Sequence, residues 1–279
     1  MTTLKLGDWL ADTVDAGYLW LDGGSMFGSV PKPLWNRTNR ADERNRIRLA
    51  MRCWLLRGHG RTVLVDDGLG DKFNDKLRDI YRVEPEPSLE HSLAAVGVKP
   101  GDVTDVVLTH LHFDHAGGLL LADGSRAFPR ATVVAQRAEW EIALGGNSRL
   151  VASYDQPEIQ LVRDWGEDGA ADGEREVLPG VSVVPTGGHS AGHQAIVVRG
   201  TGDGATTLAF FGDLCMRPWA ANPRWVTAFD DFPLDSVEIK GSLFARAADE
   251  GWTVALSHES KVPIGRLVRD RDRFRYEIA

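Results

Sequence analysis

The stretch Asp105-Val-Val-Leu-Thr-His-Leu-His-Phe-Asp-His-Ala-Gly-Gly118 decides the reading of the chain. It opens with continuously apolar residues, Val106 to Leu108, as in a strand covered on both faces. It then delivers His110, His112, Asp114 and His115 within six residues. In extended backbone His110 and His112 point to one side, because side chains alternate with period two. Asp114 and His115 join them at the turn that Gly117 and Gly118 allow. Unpaired polar groups crowded at the end of a buried strand are costly. A divalent cation offsets that cost by bonding imidazole nitrogen and carboxylate oxygen. One histidine beside a strand is ordinarily a structural residue, and two remain ambiguous. The full H-x-H-x-D-H pattern after an apolar strand is hard to explain as packing.

Working outward, other apolar runs end in the same residue types. Thr186-Gly-Gly-His-Ser-Ala-Gly-His193 follows a strand and offers His193, Phe210-Phe-Gly-Asp213 ends in a carboxylate, and Val254-Ala-Leu-Ser-His258 ends in an imidazole. Asp66 closes a fourth run. Strand ends are where open α/β sheets place their sites. His189 reads as a supporting group or a loop hydrogen bond, and His59 and His91 have no assigned role.

The predicted strands are Ile47 to Arg57, Arg61 to Asp66, Asp105 to Thr109, Thr132 to Ala135, Val181 to Pro185, Ala195 to Arg199, Thr207 to Gly212 and Trp252 to Ser257. The predicted helices are Asp71 to Val83, one capped by Ser88 and running to Val96, Gln136 to Leu144, and one capped by Asp235 and running to Glu250. Strands and helices intersperse without strict alternation, which points to layered α/β with mixed sheets. Residues 22–46, 167–179 and 216–233 read as loops. Two of these carry aromatic residues among Pro and Gly, which suits either a pocket wall or packing against the body.

Composition narrows the function. The 279 residues, 43% hydrophobic, suffice for a full core. The 32 basic against 40 acidic residues give a net charge of −8, which disfavours nucleic acid or an anionic membrane as partner. No apolar run reaches the roughly 20 residues that span a bilayer. No leader pattern is visible, and Cys53 and Cys215 form no C-x-x-C pair, so a reduced, cytoplasmic setting is expected.

The four separated motifs, in this order, resemble the metallo-β-lactamase superfamily, over about Asp66 to His258. That resemblance implies a single domain over residues 1–279, an αβ/βα sandwich of two mixed β-sheets flanked by helices, classed α/β or four-layer α+β. It implies two divalent metal ions. His110, His112 and His193 would hold one, Asp114, His115 and His258 the other, and Asp213 would bridge them. Asp66 and His189 would stand behind the ligands. Zinc suits the His-rich set best, and iron, manganese or cobalt would also fit. A hydroxide bridging the metals would attack the substrate, with Asp114 moving protons and Asp213 holding the pair.

Asp22-Gly-Gly-Ser-Met-Phe-Gly-Ser-Val-Pro-Lys-Pro-Leu-Trp35 and Asp42-Glu-Arg-Asn45 are similar to the opening of quorum-quenching lactonases in this superfamily. Gly212 to Pro233 is similar to methyl-parathion-hydrolase-like members. A lactone is therefore the expected substrate, with organophosphate or aryl ester hydrolysis and an iron-dependent persulfide dioxygenase as alternatives. The 22–46 and 216–233 segments would border the site, with Met26, Phe27, Trp35, Met216, Arg217, Trp219 and Phe229 as substrate contacts. The aromatic groups would serve equally as a homodimer contact. Lactonases carry a tyrosine three residues after the bridging Asp, and here Met216 stands there.

Overall fold

The computed structural model describes residues 2–154, 156–202 and 205–278. Among them, two mixed sheets run in chain order, β1 to β7 and β8 to β14. The first sheet opens with β1 (Thr3–Leu6), β2 (Trp9–Asp22), β3 (Arg46–Gly58) and β4 (Arg61–Val65), paired antiparallel. It continues in parallel through β5 (Asp105–Val107), β6 (Thr132–Gln136) and β7 (Ala170–Ala171). The second comprises β8 (Arg175–Leu178), β9 (Val181–Pro185), β10 (Gln194–Arg199), β11 (Thr207–Phe210), β12 (Thr253–Ala255), β13 (Ile264–Asp270) and β14 (Arg273–Ile278). Only β11 and β12 are parallel there.

Burial explains the layers. Trp54, Val65 and Val107 from the first sheet meet Val183, Ile196, Leu208 and Phe210 from the second in one dry core. The outer face of the first sheet, with Leu55, Val106 and Val133, packs on helices α4 (Leu89–Ala95), α6 (Arg137–Leu144) and α7 (Gln156–Gly169). The outer face of the second, with Val197, Ala209 and Val254, packs on α8 (Pro233–Asp249) through Leu243, Phe244 and Ala247. The result is four layers, helix–sheet–sheet–helix. Strands buried on both faces need continuous apolar runs, which is why β5 and β11 are legible in the sequence. No described helix is long and apolar enough to cross a membrane.

Several expectations change in detail. Strands β1, β2, β13 and β14 and helix α7 lie outside the predicted elements. The 71–83 helix shrinks to α3 (Asp75–Ile80), capped by Asn74, whose side chain accepts from Leu77 N–H at 3.0 Å. Ser88 does cap α4, its Oγ accepting from His91 N–H at 3.2 Å. Helix α8 starts at Pro233 rather than after Asp235, since Pro fits the first turn, where its missing N–H is not needed. Residues 22–46 hold two short helices, α1 (Gly23–Phe27) and α2 (Lys32–Trp35). The predicted 167–179 loop contains the end of α7, then β7 and β8.

Candidate metal centre

Strand β5 ends at Val107, and the chain then runs out of the sheet to His112, which opens the single helical turn α5 (Phe113–Ala116). That turn, rather than continued extension, carries Asp114 and His115 back beside His110. Asp213 follows β11 in a 3-10 turn, and His258 follows β12. All four histidines of these segments and both carboxylates are buried. His115 Nε2 lies 3.2 Å from His258 Nε2, and each is 3.1 Å from Asp213 Oδ1. Asp114 Oδ2 is 3.6 Å from His258 Nε2 and 3.9 Å from His115 Nε2.

The other half of the cluster differs from expectation. His189, not His193, reaches it: His189 Nε2 is 3.1 Å from His112 Nδ1 and 3.4 Å from Asp213 Oδ2. His193 lies just behind, with both ring nitrogens engaged. Its Nδ1 meets the Thr186 hydroxyl at 2.6 Å, and its Nε2 accepts from the Asp213 backbone N–H at 3.2 Å. The positions expected of the two histidines in the H-S-A-G-H segment are thus exchanged. Gly212 permits this close packing: its φ is +48°, and a Cβ there would fall 2.6 Å from His193 Nε2.

Three donor groups result, each with its donor atoms within 4.8 Å of one another: His110, His112 and His189; His110, His115 and Asp213; Asp114, His115 and His258. They share members, so they form one continuous patch. The donors fit hard or borderline divalent cations. His110 Nε2 and Asp213 Oδ1 are buried without a hydrogen-bond partner among the described residues. An orphaned buried polar atom costs about 1–3 kcal/mol, which a bound cation would offset.

A ring of supporting groups fixes the imidazoles. His115 Nδ1–H donates to Asp66 Oδ2 at 2.9 Å, and Asp66 Oδ1 also accepts from Thr109 N–H at 2.7 Å. Asp66 holds this pose with φ at +54°, a strained region for a residue with a side chain. His258 Nδ1–H donates to the Ala50 carbonyl at 2.8 Å, and His189 Nδ1–H to Asp230 Oδ1 at 2.7 Å. In each case the other ring nitrogen is left facing the cluster. Sequence reading missed Asp230 and Glu139. Buried Glu139 accepts from Leu111 N–H, Gly192 N–H, Ser190 and Tyr154, and so ties the His110 and His189 loops to α6. No one-dimensional signal marks either acid, since each acts on groups far away in the chain.

Electrostatics follow from burial and these partners. Burial, then neighbouring imidazoles, pushes His110 well below its ordinary value, and burial and His189 do the same to His112. Burial also works against a charged His115, but Asp213, Asp114 and Asp66 outweigh it and hold that ring well above its ordinary value. Burial opposes ionisation of Asp213, yet His115 and His258 keep its carboxyl well below the usual range. Burial also opposes a charge on His189, yet Asp230 and Asp213 hold that ring above its ordinary value, so the half built from His110, His112 and His189 is electrostatically mixed.

The cluster opens into a cavity of about 370 Å³. Of the predicted substrate contacts, Met26 and Phe229 line it. Phe27, Trp35 and Met216 do not: they are buried in the same apolar cluster as Met26 and Leu49 without lining the cavity. Phe27 stacks on Trp35 at 4.8 Å and meets Trp219 at 4.7 Å, so these loop aromatics bury one another. Arg217 is turned away as well, donating to the Arg48 carbonyl at 3.1 Å and pairing with Glu259 at 3.4 Å. The wall is completed by residues the sequence did not suggest, among them Trp20, Leu49, Ile80, Tyr81 and Phe113.

A four-layer sandwich with His and Asp donors gathered at its strand ends defines a candidate metalloprotein. The chain belongs to the metallo-beta-lactamase superfamily, whose family model matches residues 49–214. It is 30% identical over 174 residues to an N-acyl homoserine lactonase of Bacillus cereus, covering 59% of this chain and 64% of that one. The chain thus matches somewhat less than two thirds of that relative's length. Among solved structures it is similar to a probable metal-dependent hydrolase from Staphylococcus aureus, with TM-score 0.87, 29% identity and 99% of each chain covered. It also superposes on AidC, described as a dizinc quorum-quenching lactonase, with TM-score 0.81, 17% identity and 100% and 97% coverage, a likeness of fold. The expected family and sandwich fold stand.

Proposed function

We propose that this chain is a dinuclear metal hydrolase that opens lactone rings, with zinc as the resident ion. The observation that carries the reading is the continuous donor patch, in which His110 and His115 are shared among overlapping groups. His110, His112 and His189 would hold one ion, Asp114, His115 and His258 the other, and Asp213 would face both. When bound, such a pair supplies Lewis acidity and lowers the pKa of water from 15.7 to about 7, giving hydroxide at neutral pH. The names of the Bacillus relative and of AidC support the lactone as substrate.

The chain's own residues do the rest. Asp66, the Ala50 carbonyl and Asp230 hold His115, His258 and His189 in one tautomer each, so no reorganisation is needed during turnover. Asp114, on the cavity wall, takes the proton released by the attacking water and returns it to the ring oxygen as the acyl C–O bond breaks. Water thus supplies the oxygen of the new carboxylate and the hydrogen of the new hydroxyl. Met26, Leu49, Phe113 and Phe229 offer an apolar wall suited to an acyl chain. The chain is proposed to act as one domain in the cytoplasm, alone or as a homodimer.

A panel of γ-lactones, aryl esters and phosphotriesters, assayed with zinc-loaded protein, tests this. The expected result is that acylated γ-lactones give the highest kcat/KM. A preference of more than about tenfold for phosphotriesters would refute the lactone assignment.

A further inference from the structure

The hydroxyl of Tyr81 has no hydrogen bond among the described residues, although the residue carrying it is held from several sides. The Tyr81 carbonyl accepts from Trp20 N–H at 2.7 Å, and its own N–H donates to the Leu77 carbonyl at 2.9 Å. Just before it, the Asp79 and Ile80 carbonyls, the last of α3, each accept from Arg46 at 3.0 Å. Arg46 is itself buried and paired with Asp42 at 2.9 Å. Asp42 opens the Asp42-Glu-Arg-Asn45 motif, which through this pair anchors the end of α3. The Tyr81 ring rests against Phe73 at 5.7 Å and Phe113 at 5.5 Å between centroids. Phe113 lies between His112 and Asp114 in the chain, and Tyr81 lines the same cavity as Asp114, Asp213 and His258.

The cationic and indole donors on this wall have partners, and the hydroxyls of Ser25 and Ser153 also line it. Arg46 is bound to Asp42, Arg44 is paired with Asp79 at 3.4 Å, and Trp20 Nε1 donates to Glu84 at 2.8 Å. An aromatic hydroxyl has an ordinary pKa near 10, so Tyr81 is a donor at neutral pH. A fixed neutral donor beside a hydrolytic centre strengthens its bond as charge grows on the carbonyl oxygen under attack.

We propose that Tyr81 is a catalytic residue, its phenol donating a hydrogen bond to the carbonyl oxygen of the ester-type substrate as negative charge builds there. The claim rests on the hydrolase reading above and adds a residue to it. It predicts that Tyr81→Phe keeps the ring, the metal content and the melting temperature of the parent. Its kcat on the best γ-lactone should fall roughly 10- to 100-fold, with KM within about threefold. Affinity for the corresponding hydrolysis-resistant γ-lactam, measured by calorimetry, should also stay within about threefold, because the bond matters chiefly in the transition state. Tyr81→Leu, which also removes the ring, should lower the melting temperature as well and so separates packing from hydrogen bonding. Tyr81→Phe with kcat within about twofold of the parent would overturn the proposal. So would a raised KM at unchanged kcat. If the unaltered, metal-loaded protein hydrolyses none of the panel, the hydrolase reading itself fails, and the role of Tyr81 goes with it.

Discussion

Asp213→Ala is expected to lose bound divalent metal and nearly all ester hydrolysis together. Among the described residues, Asp213 is the carboxylate that meets both halves of the cluster, with Oδ1 at 3.1 Å from His115 and His258 and Oδ2 at 3.4 Å from His189. Even groups standing behind a ligand commonly contribute roughly 10- to 100-fold in metal affinity. On the proposed dinuclear reading, removing a carboxylate that faces both ions should therefore cost more than about 100-fold in affinity, with kcat/KM falling at least as far. A protein stabilised by its ions also melts higher when they are added, by mass action. The variant should lose that zinc-dependent rise while keeping the fold, because Asp213 carries no part of the apolar core. Elemental analysis, thermal melts with and without zinc, and steady-state kinetics read all three effects. His112→Ala should behave likewise in metal content and turnover.

The second large effect separates two histidines four residues apart. His189→Ala should lower metal affinity by more than about 100-fold, since His112 and His110 then lack their third imidazole. His193→Ala should keep its metal and lose stability instead. Its imidazole holds the Thr186 hydroxyl at 2.6 Å and the Asp213 N–H at 3.2 Å, both buried. Orphaning such groups costs about 1–3 kcal/mol, readable in urea unfolding. The reverse pattern, with metal lost at His193→Ala and kept at His189→Ala, would restore the assignment implied by family resemblance and refute the geometry.

This exchange shows where sequence reading stops. The H-x-H-x-D-H run, Asp213 and His258 are legible because each follows an apolar strand, and strand ends converge. His189 and His193 both follow β9, so that argument cannot rank them. The choice is made by Gly187 and Gly188, at φ +57° and +74°, which turn the chain so that His189 enters the cluster. Strand β2 escapes notice because its alternation breaks at a bulge between Asp15 and Tyr18. Gly17 sits in that bulge at φ +89°, where a Cβ would strike the Glu84 carbonyl at 2.6 Å. The β13–β14 hairpin turns through Arg271 at φ +59°, without the Asn-Gly or Asp-Gly pair that usually announces such a turn. The cavity wall is the least legible part. Trp20 and Tyr81 come from a bulged strand and from the residue after a short helix, whereas the conspicuous loop aromatics Phe27 and Trp35 pack on each other.

The central claim is that these imidazoles and carboxylates work by holding two cations. Exhaustive chelation of the purified protein, checked by elemental analysis, followed by zinc titration against lactone hydrolysis, tests it most directly. Activity should vanish on chelation and return in full at about two ions per chain. A metal-free chain that still hydrolyses the lactone at its original rate would contradict the account.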